Sequence, residues 1–315
     1  AMSRASSVAR IFSGMEPRPT ASSGFVTRFA PSPTGLLHLG HAYSALTAWQ
    51  AAEAADGVCL LRIEDTDSTR VRADYETAIY EDLSWLGLEW PTPVMRQSER
   101  RAAYVEALAR LGVLGLPYPC RCTRADIRAA LAAPQEGSSP AQNTGPVYPG
   151  TCRTRPLSDA GPGDAIRLDL DRALHLVRGE PLTWLETGPN HAGAHVVDPE
   201  AMRREIGDVV LARKDIGTAA YHLAVVVDDA AQAVTHVVRG EDLLEATPIH
   251  RLLQALVDLS VPEWHHHALV RDANGKRLAK RDDARAIRAY RQSGMSPWDV
   301  KQLIRTHTIR LAQTM

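Results

Sequence analysis

Hydrophobic and polar positions follow two different periods along the first hundred residues. Phe25–Phe29 (FVTRF) is a short run with apolar ends that leads into the loop Ala30-Pro31-Ser32-Pro33-Thr34-Gly35, and it predicts a strand followed by a turn. Leu39, Tyr43 and Leu46 then recur at i, i+4 and i+7, one face of a helix beginning near His38. Val58–Ile63 (VCLLRI) has strand length and is apolar on both faces, as in a buried parallel strand. Tyr75, Ile79, Leu83 and Leu86 mark a second helix. Ser98 is the expected N-cap of a third, which runs to about Leu111. Strand–helix–strand–helix order predicts an α/β fold around a parallel sheet.

The pattern changes in the middle. From Pro117 to about Pro162 the chain is dense in Pro, Gly, Ser and Cys, with helical spacing only near Thr123–Leu131. Residues 134–146 (PQEGSSPAQNTGP) read as a flexible excursion, and the whole stretch as an insertion into the α/β domain. Beyond it, Ala165–Leu170, Asp208–Ala212, Tyr221–Val227 and Val234–Val238 are predicted strands. Thr247-Pro248 is a helix start, a capping residue followed by Pro at the first position, and the helix continues through Leu252, Leu253 and Leu256. The expected organisation is a disordered tail over 1–23, then the first half of a catalytic domain over 24–116. An insertion over 117–204, the second half over 205–285 and a C-terminal helical segment over 286–315 follow.

Composition narrows the classes. With 44% hydrophobic and 23% charged residues, a 315-residue chain can bury a core, which excludes disorder or a fibrous repeat as its overall state. Lys+Arg (36) and Asp+Glu (37) nearly cancel, so a globally basic coat is excluded while a local basic face is not. No apolar run approaches the ~18 residues of a membrane span, and residues 1–23 lack the apolar core of a secretory signal. Four cysteines without a disulfide framework suit a reducing compartment, so a cytoplasmic location is the expectation; a monomer is expected separately.

His38-Leu39-Gly40-His41 lies where a loop opens a helix. The unpaired N–H groups and positive dipole end of that helix suit phosphate. Two imidazoles add donors, and Gly40 lets a nucleotide approach the backbone. Gly275–Arg281 (GKRLAKR) is a second basic loop, able to neutralise charge developing on a triphosphate. Taken singly, the first also fits a surface helix start and the second a solvated charged turn. Together, at the two ends of one α/β pattern, they point to a nucleotide site. Cys120, Cys122 and Cys152 form a separate cluster in the insertion, where little apolar sequence is available for a core. A structural Zn2+ on thiolates is the staple such a segment needs, the alternative being three reduced, unliganded thiols. Cys59 in VCLLRI reads as a core residue. His265-His266-His267 looks like a metal tract but reads as structural, and His191 and His195 carry no assigned role.

Five segments in order resemble the catalytic-domain motifs of class I glutamyl-tRNA synthetases over about residues 24–285. They are RFAPSPTGLLHLGH (Arg28–His41), LRIEDTD (Leu61–Asp67), YHLAVVVDD (Tyr221–Asp229), VVRGEDLL (Val237–Leu244) and KRLAKR (Lys276–Arg281). The resemblance implies a Rossmann-like catalytic domain. Its HIGH loop is matched by His38–His41 and its KMSKS loop by Arg277–Arg281, with Ala279 replacing the usual Ser and Lys280 at the second Lys. It implies that His38, Gly40, His41 and Lys280 bind ATP, which brings Mg2+, and that His38, His41 and Lys280 serve catalysis. Contacts to L-glutamate are implied for Arg28, Ala30, Ser32, Glu64, Tyr221 and Arg239. The chemistry agrees, since guanidinium forks suit carboxylates and an acid suits the ammonium. Local alternatives are open: Glu64 and Asp65 capping a turn, Arg239 pairing with Glu241 or Asp242, Tyr221 as a half-buried strand residue.

Only 35 residues follow Lys280, enough for one or two helices and not for the anticodon-reading domain usual in this class. Residues 271–291 carry a net +5, suited to phosphate contact. The combination resembles the truncated paralogue family of glutamyl-queuosine tRNA(Asp) synthetases, which activate glutamate with ATP and attach it to the queuosine base in the anticodon loop of tRNA(Asp). Their Cys-x-Cys, Tyr-x-x-x-Cys arrangement implies Tyr148 as a fourth zinc ligand beside Cys120, Cys122 and Cys152, although 25 residues separate Cys122 from Tyr148 here. The competing expectations are a compact glutamyl-tRNA synthetase charging the tRNA 3′ end, and a non-catalytic tRNA-binding paralogue.

Overall fold

The computed structural model describes residues 24–132, 147–213, 219–270 and 285–312. The expected tail over 1–23, the excursion 134–146 and the loop carrying Lys276 and Lys280 lie outside the described residues. Strand β1 (Val26–Phe29) pairs in parallel with β2 (Val58–Ile63), in register from Val26–Val58 to Phe29–Leu61, and helix α1 (Leu39–Ala54) crosses between them. Helix α2 (Ala73–Trp85) leads to the short β3 (Met95–Arg96), parallel to β2. Helix α3 (Arg101–Val113), β4 (Pro117–Cys120), α4 (Arg124–Ala132), β5 (Ala165–Leu168), α5 (Leu170–Val177), β6 (Thr183–Glu186), β7 (Gly193–Val196) and β8 (Val210–Ala212) follow. The chain continues through α6 (Tyr221–Ala231), β9 (His236–Gly240), α7 (Thr247–Leu256), β10 (Glu263–His267), α8 (Ile287–Gln292) and α9 (Pro297–Ala312).

These strands form three sheets. One is the parallel β1–β2–β3. A second has the order β7–β6–β10–β9, parallel except for β7. The third, β4–β5–β8, is antiparallel and holds the cysteine segment. The two parallel sheets meet at β1 and β9, where Thr235 N donates to Val26 O at 2.9 Å. Strand order reverses there, with β2 and β3 to one side of β1 and β10 and β6 to the other side of β9. In open α/β sheets the crevice at such a reversal, beyond the carboxyl ends of the strands, is where ligands bind.

Several local readings change. Tyr221–Val227 is not a strand but the start of α6. Every residue from Leu223 to Asp229 is buried, so the helix shows no amphipathic period, and its three consecutive valines imitate a buried strand. Ser98 does not cap α3. It lies in a single turn of 3-10 helix, Gln97–Glu99, and binds Asp65 through its hydroxyl at 2.6 Å and its N–H at 2.7 Å. Thr247 is the first residue of α7 rather than its cap, and its hydroxyl is used by Arg239. The strand expected over Ala165–Leu170 stops at Leu168, because Asp169 caps α5 by accepting from Arg172 N. The triple-histidine tract is strand β10 itself.

Two apolar clusters flank the crevice. Ile79, Leu83, Leu86, Leu61 and Ile63 pack with Val300 and Ile304 of α9 on the β1–β2 side. Leu223, Val225, Ile249, Leu252, Leu253 and Trp264 pack on the β9–β10 side. A buried clasp ties α3 and the turn before it to α6: Gln97, Arg100 and Tyr104 all donate to the Asp228 carboxylate, at 3.0, 3.1 and 2.6 Å. The C-terminal helices return to the crevice, since Ile287 N donates to Leu37 O at 2.8 Å and Ala286 pairs with His38.

Candidate active site

The crevice holds a cavity of 390 Å3, and its lining includes Arg28, Ala30, Ser32, His38, Gly40, His41, Glu64, Tyr221 and Arg239. All the sequence-derived candidates among the described residues, except the cysteine set, therefore share one space. They come from the ends of β1, β2 and β9, the loop before α1, the first turn of α1, and the first residue of α6.

The α1 end is built from its own motif. His38 is the N-cap, and its Nδ1 accepts from Gly40 N at 3.1 Å, while His41 Nδ1 accepts from His38 N at 3.2 Å. This is a capping box made of imidazoles rather than Ser and Glu. Accepting at Nδ1 fixes both neutral rings as Nε2–H tautomers. The rings lie 3.8 Å apart. The cavity is thus bordered by a helix N-terminus and two imidazole N–H donors, an arrangement suited to phosphate.

Charge is distributed unevenly below it. Arg28 Nε donates to Asp229 Oδ1 at 2.9 Å, and Arg62 Nη1 donates to the same oxygen at 2.7 Å. Burial opposes ionisation of Asp229, but the two guanidinium groups outweigh it and hold the carboxyl below its ordinary value. Glu64 lies 3.5 Å from Arg62 Nη2, and burial pushes its carboxyl above the ordinary range despite Arg62 and Arg28. Arg28, Arg62, Asp229 and Glu64 form one four-charge cluster, of which Arg28 and Glu64 reach the cavity.

Arg239 is different. It is 5% exposed and pairs with neither Glu241 nor Asp242; among the described residues no carboxylate lies within ion-pair distance. Its Nε donates to His266 Nε2 at 2.9 Å, and its Nη2 to Leu243 O at 3.0 Å and Thr247 Oγ1 at 2.9 Å. Its Nη1 makes only long contacts, 3.4 Å to Tyr221 Oη and 3.3 Å to His250 Nδ1. A buried cation beside a cavity with only neutral hydrogen-bond partners is suited to receive an anion.

The cysteine cluster is a second, separate centre. Cys120, Cys122 and Cys152 place their Sγ atoms within 4.8 Å of one another. Tyr148 Oη lies 3.4 Å from Cys120 Sγ and 3.6 Å from Cys122 Sγ, and Cys122 Sγ lies 3.6 Å from Cys152 Sγ. A tetrahedral zinc with Zn–S near 2.3 Å sets its sulfurs about 3.8 Å apart, so the donor set fits. Burial works against a Cys152 thiolate, yet hydrogen bonds from Tyr148 and Cys122 bring its thiol down to about 7. The 25-residue separation does not keep Tyr148 from the thiols. None of these four residues lines the active-site cavity.

Comparison with known proteins gives the family. The family model for class I tRNA synthetases (E and Q), catalytic domain, matches residues 25–157 and 194–313. The chain belongs to that family. A Glutamyl-Q tRNA(Asp) synthetase of Rhodobacter capsulatus is 54% identical over 282 residues, covering 89% of this chain and 99% of the relative. One of Nocardia farcinica is 43% identical, over 89% of this chain and 84% of the relative. Among solved structures, a glutamate tRNA ligase from Elizabethkingia meningosepticum in complex with its amino acid superposes with a TM-score of 0.64 at 30% identity. That match covers 82% of this chain and 52% of the ligase, so the chain spans about half of that ligase's length. The methionyl-tRNA synthetase of Mycobacterium tuberculosis, at 9% identity and a TM-score of 0.55, shares the fold alone.

Membership of this synthetase class implies use of ATP. It leaves the local geometry to say which other residues matter, and several were missed in the sequence. Thr247, His250 and His266 hold Arg239, Asp229 holds Arg28 and is itself held by Arg62, and His267 lines the cavity and contacts Ser44 Oγ at 3.1 Å. Three consecutive histidines on a strand were the visible signal for His266 and His267. Glu186, which binds His266 at 2.5 Å, gave none. Lys280 lies outside the described residues. Among the described residues, no helix is long and apolar enough to cross a membrane.

Proposed function

We propose that this protein activates L-glutamate with ATP and transfers it to a hydroxyl of the queuosine base in the anticodon loop of tRNA(Asp). The observation that carries the reading is the shared cavity, in which a buried, carboxylate-free Arg239 and an acidic Glu64 face a helix N-terminus edged by His38 and His41. The names of these relatives supply the acceptor.

In the first step Arg239, with Tyr221, takes a carboxylate of glutamate. Glu64 takes the ammonium, and Arg28 adds a second guanidinium, with Ala30 and Ser32 lining the wall. ATP lies along the α1 N-terminus against Gly40, with the His38 and His41 Nε2–H groups toward phosphate. The glutamate α-carboxylate attacks the α-phosphorus, and pyrophosphate leaves with the magnesium that ATP brings. Lys280 balances the developing charge, a role that rests on its motif position alone. In the second step a queuosine hydroxyl attacks the mixed anhydride, forming the ester and releasing AMP. A flexed anticodon loop offers a base to a pocket more readily than a duplex does.

Cys120, Cys122, Tyr148 and Cys152 would hold one Zn2+ per chain. That ion would cross-link the β4–β5–β8 sheet and take no part in adenylation. The four cysteines are free rather than disulfide-bonded, which suits a reducing cytoplasm.

The direct test is glutamate-dependent ATP–pyrophosphate exchange with purified protein and no tRNA. Exchange with glutamate, and far less with glutamine, supports the reading. Exchange only in the presence of tRNA(Glu) would favour a true glutamyl-tRNA synthetase, and none under any condition would favour a non-catalytic paralogue.

A further inference from the structure

We infer that Glu186 and His266 are positioning residues that hold Arg239 charged and correctly turned, while keeping its Nη1 nitrogen for a substrate carboxylate. The inference rests on the glutamate reading above. A guanidinium carries five N–H groups, one on Nε and two on each Nη. In Arg239 the Nε–H and both Nη2 hydrogens have partners at 2.9–3.0 Å, whereas the two Nη1 contacts are 3.3 and 3.4 Å. Nη1 is the nitrogen with capacity left, and one of its two long contacts is the cavity-lining Tyr221 hydroxyl.

The short contact at Nε exists only if His266 presents a lone pair at Nε2, which requires its proton on Nδ1. Glu186 enforces that tautomer. Its Oε2 lies 2.5 Å from His266 Nδ1, while its Oε1 accepts from Gly188 N at 2.7 Å and His266 N at 2.9 Å. The carboxylate is pinned at both oxygens, and Glu186 and His266 are 1% and 0% exposed. A side chain at Gly188 would collide with the His266 carbonyl, so the close approach of the two segments needs glycine there.

The three residues sit on three adjacent strands: Glu186 on β6, His266 on β10, Arg239 on β9. The relay therefore crosses the sheet from β6 to β9: His266 is in register with Arg239, while Glu186 is in register with Trp264, two residues before His266. Its consequence is a displaced counter-ion. Glu186 supplies negative charge one imidazole away from Arg239 instead of on the fork itself. A carboxylate bonded directly to the guanidinium would compete with the substrate. Here the charge of Arg239 is supported from behind and its cavity side remains for an anion. A neutral amide is a weaker partner for that nitrogen, so the relay contributes to choosing glutamate over glutamine.

Two measurements test this. The imidazole 15N shifts of His266, in the full chain labelled at histidine, report the tautomer directly. Nδ1–H is expected, and Nε2–H would overturn the proposal whatever the enzyme does. In Glu186→Gln an amide NH2 can face Nδ1, which drives the proton to Nε2 against the Arg239 Nε–H. Arg239 is then no longer held at Nε, and the KM for glutamate in ATP–pyrophosphate exchange should rise at least about tenfold, with the KM for ATP within about twofold and a smaller glutamate-to-glutamine preference. A folded Glu186→Gln protein with the parent's glutamate KM and preference would contradict the relay. A parent protein that exchanges with no amino acid would instead sink the glutamate reading, and the tautomer measurement would still decide the relay.

Discussion

Arg239 and Glu64 illustrate how the same physics gives opposite demands at the two ends of the proposed glutamate. Arg239 is desolvated and lacks a carboxylate partner, so an anion is welcome; Glu64 sits near cations yet is pushed up by burial, so an ammonium would relieve it. Arg239→Gln is expected to raise the KM for glutamate by roughly 10–100-fold, since a hydrogen bond to a charged group contributes about 1.5–3 kcal/mol, and to leave the KM for ATP nearly unchanged. An unchanged glutamate KM in pyrophosphate exchange would remove Arg239 from the site. The imidazoles around it also set a pH limit. Burial first, and the Arg239 charge second, bring His222 down to about 4 and hold His250 well below its ordinary value. His222 Nδ1 and His250 Nε2 lie 3.1 Å apart. Unfolded histidine takes up a proton near 6.5, which these folded rings refuse. Their contribution to stability is therefore fully present above about pH 6.5 and declines as pH falls toward 4. Thermal melts across that interval should show the loss, and His250→Gln should flatten it. The motif residues were legible at this scale because HxGH and the Arg/Glu pattern are local. The holders of Arg239 were not, because Glu186, Thr247, His250 and His266 meet it only through strand and helix packing.

Among the elements, α6 was the hardest to read. A helix buried on every side loses the 3.6-residue period that identifies helices in sequence, and VVVDD then looks like a strand. Its burial has a cost attached: Leu223, 0% exposed, should lose about 2–5 kcal/mol on substitution by Ala, measured by denaturant unfolding. The β1–α1–β2 unit was legible throughout, because its periods are clean and a loop of Pro and Gly separates them. The cysteine segment has a small core of its own, Tyr118, Cys120, Tyr148 and Cys152, with Arg167 stacked 4.0 Å over the Tyr148 ring. Cys122→Ser is expected to lower zinc content from near one per chain toward zero and to lower the melting temperature. Glutamate-dependent exchange should fall much less than in Lys280→Ala. Elemental analysis that finds no zinc in protein prepared without chelator would contradict the assignment.

At the scale of the whole molecule, the active-site crevice exists because two parallel sheets diverge from a common seam at Val26 and Thr235. The halves are fastened elsewhere by Asp228, whose carboxylate takes donors from Gln97, Arg100 and Tyr104. Asp228→Ala would strand a guanidinium and leave buried donors without partners, with an expected loss of about 3–5 kcal/mol in stability. The fold class was legible from element order alone, but the position of the seam was not, since pairing across it depends on residues more than 200 apart in sequence. The central claim concerns the acceptor, and one measurement addresses it most directly. Purified protein is given radiolabelled glutamate and ATP with tRNA(Asp) that either carries or lacks queuosine. Label should enter only the queuosine-containing tRNA(Asp), and nuclease digestion should locate it in the anticodon loop. Label at the 3′ end of tRNA(Glu), or equal labelling with and without queuosine, would contradict the account.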